Sequence, residues 1–136
     1  MSAPVPTKAF EALRQRVVAE SPGGEAGVFG PGSTVWRLDR EAACFLAGGR
    51  AALLQVAHPA VAHAIIDHST IRQGDMAGRF QRTFSQVFDM VFGPLDHALG
   101  ASQRVRRIHD GVKGPGYHAN DPQALLWVHA TLVDSV

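Results

Sequence analysis

The sequence predicts an all-α fold built from several helices, and three observations carry that expectation. Over Asp75–Phe92, the residues Met76, Phe80, Phe84 (or Thr83), Val87 and Val91 recur at the spacing of one helix face. Helix punctuation is frequent, with His58-Pro59, Gly93-Pro94 and Asp121-Pro122 each marking a boundary. No run reads convincingly as a strand.

Taken in order, Met1–Pro6 reads as a loose leader. Thr7 is placed to N-cap a first helix, with Phe10, Leu13 and Val17 on one face. Ser21–Ser33 holds five glycines and two prolines and reads as loop. A phosphate-binding loop is disfavoured there, because no strand precedes it and no Gly-Lys-Ser/Thr closes it. Asp39 is expected to cap a second helix running to about Gln55, with Glu41 complementing the N-terminal dipole. Gly48 and Gly49 interrupt that helix, each at a cost of about 1 kcal/mol relative to alanine. They predict a kink or a face that another group approaches closely, a crossing helix being the simplest.

His58 is pushed out of the α region by Pro59, which opens a short helix to about Ile66. Asp75–Phe92 follows and is stopped by Gly93-Pro94. Leu95–Lys113 is helical, with a basic second half, and Gly114-Pro115-Gly116 is a turn. Asp121 as N-cap and Pro122 at N1 open a last helix carrying Leu125, Leu126, Trp127, Val128 and Leu132. This makes six helical segments.

Composition narrows the classes. At 46% hydrophobic and 18% charged residues, the 136-residue chain can bury a core as one domain or part of a larger one. A net charge of +1 argues against nucleic acid or an anionic membrane surface as partner. The local cluster Arg104, Arg106, Arg107 and Lys113 leaves a helical nucleic-acid binder as only a weak reading. Cys44 is the single cysteine, so no intrachain disulfide forms, and in Ala-Ala-Cys-Phe-Leu it reads as a small buried hydrophobe. The N-terminus has no secretory signal pattern, and Ala51–Ile66 is broken by His58, Pro59 and His63. A soluble, cytoplasmic protein without a spanning helix is the expectation. The sequence stops at Val136 inside what reads as a helix, which suggests a fragment.

Seven histidines raise the question of metal, haem or acid–base chemistry. No HExxH, EF-hand or Cys/His zinc spacing is present, and His58, His63 and His68 spread around a helix instead of sharing a face. His109 follows Arg104, Arg106 and Arg107 and shares its helix with Val105, Ile108 and Val112. It fits both a half-buried histidine on a solvated basic helix and a ligand, and Arg106 is spaced to pair with Asp110. Arg79 and Thr83 lie one turn apart beside the apolar stripe. A guanidinium there either reaches water, pairs with a carboxylate of its own chain, or meets a carboxylate of a cofactor or substrate.

Several blocks then resemble one family. They are Phe29-Gly30-Pro31-Gly32-Ser33 with Trp36, the run Gly48–Ala62, Asp67-His68-Ser69, and Arg79–Thr83. Val105–His109, Ala119–Pro122 and Leu126–Leu132 complete the set. Together they are similar to the latex-clearing (rubber) oxygenases and the fungal mpaB oxygenase, from roughly Val28 to the last residue. Residues 1–27 are then an N-terminal leader, helix and loop, and residues 28–136 the N-terminal portion of the oxygenase domain.

The resemblance implies a globin-like, all-α domain around haem b, and an oxidoreductase that uses O2 on an apolar alkene or isoprenoid-type substrate. It implies His109 as the proximal ligand of the haem iron with Arg106 beside it, and Arg79 and Thr83 as distal, catalytic residues. Arg82 stands where the rubber-cleaving enzymes carry a lysine; an arginine stays protonated and makes a poor iron ligand, so the distal site is expected to be open to O2. His129 and Thr131 match a later block and are expected near the cofactor. Members continue past the residues corresponding to Leu132–Ser135, so a further segment or a homodimer is expected to close the fold. The alternative is a non-catalytic helical domain, dimeric or not, that keeps the fold without the activity.

Overall fold

The computed structural model describes residues 8–69 and 74–136. Thr7, expected as a cap, lies outside them. The described residues form an all-α fold with one minimal hairpin. In order these are α1 (Lys8–Glu20), a 3-10 turn (Gly24–Ala26), α2 (Thr34–Asp39), α3 (Cys44–Gln55) and α4 (Pro59–His68). Then come α5 (Met76–Phe92), α6 (Leu95–Asp110), β1 (Lys113–Gly114), β2 (Tyr117–His118) and α7 (Pro122–Ser135).

The best-built part is the α5–α6 hairpin. Asp75 caps α5 by accepting from the Gly78 amide at 3.1 Å. The two-residue connection Gly93-Pro94 turns the chain sharply. Gly93 has φ −75, not the left-handed conformation of a glycine cap; a Cβ there would collide with the Asp89 carbonyl oxygen, which is why glycine is required. Val91, Leu95, Ala98, Leu99 and Ala101 are buried along the seam, Leu95 at 2% exposure. Arg104 of α6 reaches back across it to Gln86 at 3.0 Å and Asp89 at 2.8 Å. Trp36 of α2 seals one end by meeting Phe92 edge-on, ring centroids 4.9 Å apart. Arg14 ties α1 to the 3-10 turn through Glu25 at 2.6 Å and to α6 through Asp96 at 3.3 Å.

The second pair is α3 with α7. Its contact is made of small groups: Ala51, Ala124 and Thr131 are buried between helices that approach closely. The Trp127 indole donates to the Leu54 carbonyl at 3.2 Å, and Arg50 pairs with Asp134 at 2.6 Å on the exposed rim.

Several sequence expectations change. α2 was not anticipated; Ser33 caps it by accepting from the Trp36 amide at 3.2 Å. Asp39 therefore ends α2 instead of opening α3, which begins at Cys44 without a side-chain cap. Cys44 is half-buried, not buried; its thiol faces Asp39 Oδ1 at 3.7 Å, and burial first, then that carboxylate, pushes it above its ordinary pKa. α3 is one continuous helix through Gly48 and Gly49. A Cβ on Gly48 would meet the Phe84 ring of α5 at 3.8 Å, whereas one on Gly49 would meet nothing. α6 ends at Asp110, three residues early, because Lys113 and Gly114 pair with Tyr117 and His118. The Gly114–Gly116 turn is present, with Gly116 at φ 80. Asp121 and Pro122 open α7 as expected.

Candidate functional site

His109 sits in the last turn of α6 and is half-buried. Burial holds its imidazole below the ordinary pKa, with the Asn120 side chain and the Asp110 charge opposing that shift. The neutral form, which alone can ligate a metal, is thereby favoured at neutral pH. The surface pair expected between Arg106 and Asp110 is not formed. Asp110 Oδ1 instead accepts from Asn120 Nδ2 at 2.7 Å, and the same amide donates to the Arg106 carbonyl at 3.3 Å. Asn120 thus ties the last turn of α6 to the segment that follows the hairpin.

The topology of the helical hairpin locates the second group. α5 and α6 run antiparallel across the Gly93-Pro94 connection, so the last turn of α6, which carries His109, and the first turns of α5 lie at the same end of the hairpin. The segment Arg79–Thr83 is therefore at the same end of the hairpin as His109. Arg79 is half-buried; its backbone amide donates to the Asp75 carbonyl at 3.1 Å, and its side chain has no hydrogen-bond or ion-pair partner among the described residues. Thr83 is exposed. Arg82 is engaged elsewhere, with its guanidinium on Asp75 at 2.8 Å and 60% of its side chain exposed. Phe80, Phe84, Phe88 and Phe92 form a row of mutually tilted rings along α5, successive centroids being 4.2, 6.0 and 5.7 Å apart.

The remaining candidates belong to the other helix pair. His129 is exposed and Thr131 is 5% exposed on α7, two positions apart and hence on opposing sides of the helix. Thr131 Oγ1 donates to its own helix, at the Val128 carbonyl 2.7 Å away. α7 packs mainly on α3, so these two are not brought beside His109 by the same contacts.

Concavities do not single out a better centre. An open groove of about 730 Å³ runs along α2, lined by Pro31, Thr34, Arg37, Leu38, Arg40 and Glu41. Its charged lining is unlike a small-molecule pocket. A cleft of about 160 Å³ lies between His58, Tyr117, His118 and the start of α7. Among the described residues no three His, Cys, Asp or Glu side chains converge as a metal site would require. A haem site needs only one axial side chain from the protein.

One further cluster escaped sequence reasoning. The Tyr117 phenol, Asp67 and His68 are joined by hydrogen bonds of 2.6 and 3.1 Å. Asp67 and His68 stood out only within the block Asp67-His68-Ser69 that resembles the family, and Tyr117 carried no spacing signal of its own.

The stretch Trp36–Val136 matches the family model described as ER-bound oxygenase mpaB/B′/rubber oxygenase, catalytic domain. The chain belongs to this oxygenase family. The match takes in α5, α6, the hairpin and α7, and with them every candidate residue named above. No curated protein and no solved structure gives a match. Among the described residues, no helix is long and apolar enough to cross a membrane.

Proposed function

We propose that this mpaB/rubber oxygenase family chain serves a haem-dependent oxidation of an apolar alkene or isoprenoid-type substrate, with His109 as the axial ligand. The observation that carries the reading is a shared end of one hairpin: a half-buried histidine in the last turn of α6 and, in the first turn of α5, a half-buried arginine whose side chain has no hydrogen-bond or ion-pair partner among the described residues. Leaving a guanidinium partly desolvated without an anion is costly, so an anionic group supplied by a cofactor explains Arg79 better than a surface role does. The residues therefore fit a flat, apolar, carboxylate-bearing group such as haem.

Haem b, when bound, supplies the iron at which O2 is activated. His109 would hold that iron, and its burial keeps the imidazole in the ligating form. Arg79 would bind a carboxylate bidentately. The exposed Thr83 hydroxyl would offer a hydrogen-bond donor beside the bound group. Phe80, Phe84 and Phe88 would exclude water and give an apolar substrate its surface. Arg82, whose guanidinium is held by Asp75, would not serve as an iron ligand. Arg106 would act only as a neighbour of His109.

The test is turnover. Haem-loaded protein supplied with an isoprenoid alkene and O2 should yield carbonyl or oxygenated products, and Arg79→Gln should lower the rate by roughly tenfold or more. Products formed equally well by Arg79→Gln would remove that residue from the mechanism.

A second reading is favoured by a specific observation. Leu46 at 81%, Leu53 at 75%, Leu126 at 67% and Val133 at 66% exposure leave α3 and α7 with an uncovered apolar face. A domain of this kind can keep the family fold without activity, as a dimer or with a further segment covering the face. Oxygenated product from this chain alone would dispose of that reading.

A further inference from the structure

Tyr117 is the only tyrosine in the chain and is buried at 9% exposure on β2. Its hydroxyl donates to Asp67 Oδ2 at 2.6 Å. His68 Nε2 lies 3.1 Å from the same phenol oxygen and 3.3 Å from the Lys113 carbonyl. The phenol has one proton, and Asp67 takes it; a carbonyl can only accept. His68 Nε2 must therefore carry the hydrogen and donate to both oxygens, which fixes the tautomer. The last turn of α4 thus grips both strands of the hairpin, β1 at Lys113 and β2 at Tyr117. Gly114 permits this: a Cβ there would lie 2.7 Å from the Tyr117 ring.

The hairpin in turn grips the end of α6. The Ala119 amide donates to the Val112 carbonyl at 2.9 Å, and the Val112 amide to the His109 carbonyl at 3.0 Å. Asn120 donates to the Arg106 carbonyl and the Asp110 carboxylate, while its own amide is satisfied by His118 Nδ1 at 3.0 Å. A continuous series of bonds therefore joins Asp67 and His68 on α4 to the turn that carries His109.

We propose that Tyr117, held by Asp67 and His68, is a positioning residue that locks segment 111–121 against α4 and so sets the placement of His109. The consequence for haem rests on the reading of His109 as axial ligand; the lock itself does not.

Three measurements on the full chain separate the two. With one tyrosine, tyrosinate absorbance reports this phenol alone. Its midpoint is pushed up to about 12, first by the Asp67 hydrogen bond. Asp67→Asn should return it toward the ordinary value of about 10, and an unchanged midpoint would overturn the lock. Tyr117→Phe keeps the ring and removes the hydroxyl. It should leave helicity by circular dichroism intact while the Val112 and Ala119 amides exchange about tenfold faster, the scale of one lost hydrogen bond. Undiminished protection at those amides overturns the proposal. In haem-loaded protein the same variant should shift the Soret band or weaken haem binding. Faster exchange with an unaltered haem spectrum sustains the lock and counts against His109 as the ligand.

Discussion

The two helix pairs of this domain bury their apolar residues in opposite ways. α5 and α6 enclose Val91, Leu95 and Leu99, large side chains that make a core. α3 and α7 meet through Ala51, Ala124 and Thr131 and leave Leu46, Leu53 and Leu126 exposed. Small residues let the second pair approach closely, yet they remove little apolar area from water, so that pair adds less to stability for the same length of helix. The first pair is a core; the second is a surface with one side still to be covered. The residues proposed to hold haem lie on the first.

Substitutions test that contrast most strongly in the core. Leu95→Ala should destabilise by about 2–5 kcal/mol in urea unfolding, because it leaves a cavity in a filled seam. Leu53→Ala and Leu126→Ala should each change stability by no more than about 0.5 kcal/mol. A cost at Leu126 comparable to that at Leu95 would show the face to be covered in solution, and the contrast would fail. Asp121→Ala should cost about 1 kcal/mol, since Asp121 Oδ1 caps α7 by accepting from Gln123 at 2.8 Å and Ala124 at 3.4 Å.

The pH dependence has a definite sign. The folded state holds His109 below its ordinary value, so the unfolded chain binds the proton more readily. The stability linked to His109 should be present above pH 6.5 and decline as pH falls through that value and below; His109→Gln should flatten this acid limb. The smallest effect is at Gly49, where a methyl group meets open space. Gly49→Ala should raise stability by up to about 1 kcal/mol in the same unfolding assay.

Much of the helix pattern was legible because local chemistry wrote it. Asp75, Gly93-Pro94, His58-Pro59 and Asp121-Pro122 act within one turn of chain, and each falls at an observed boundary. Asp39 misled because Ser33, six residues earlier, had already opened a short helix that Asp39 ends. Periodicity marks α7 as a helix but not its covered face: Leu126 and Leu132 are exposed, because which face is covered depends on partners in space. The family blocks brought out His109, Arg79 and Thr83, and the fold puts them at the same end of the α5–α6 hairpin. Asn120 and Tyr117 were not foreseen as partners. Their bonds join residues 10 and 50 positions apart in sequence, to Asp110 and Asp67, a relation that only the fold creates.

The most direct measurement is the absorption spectrum of the haem-supplemented protein beside its His109→Ala variant. A Soret band in the wild type that is lost or shifted in the variant is the predicted result. No band in either protein, or an identical band in both, would contradict His109 as the haem ligand.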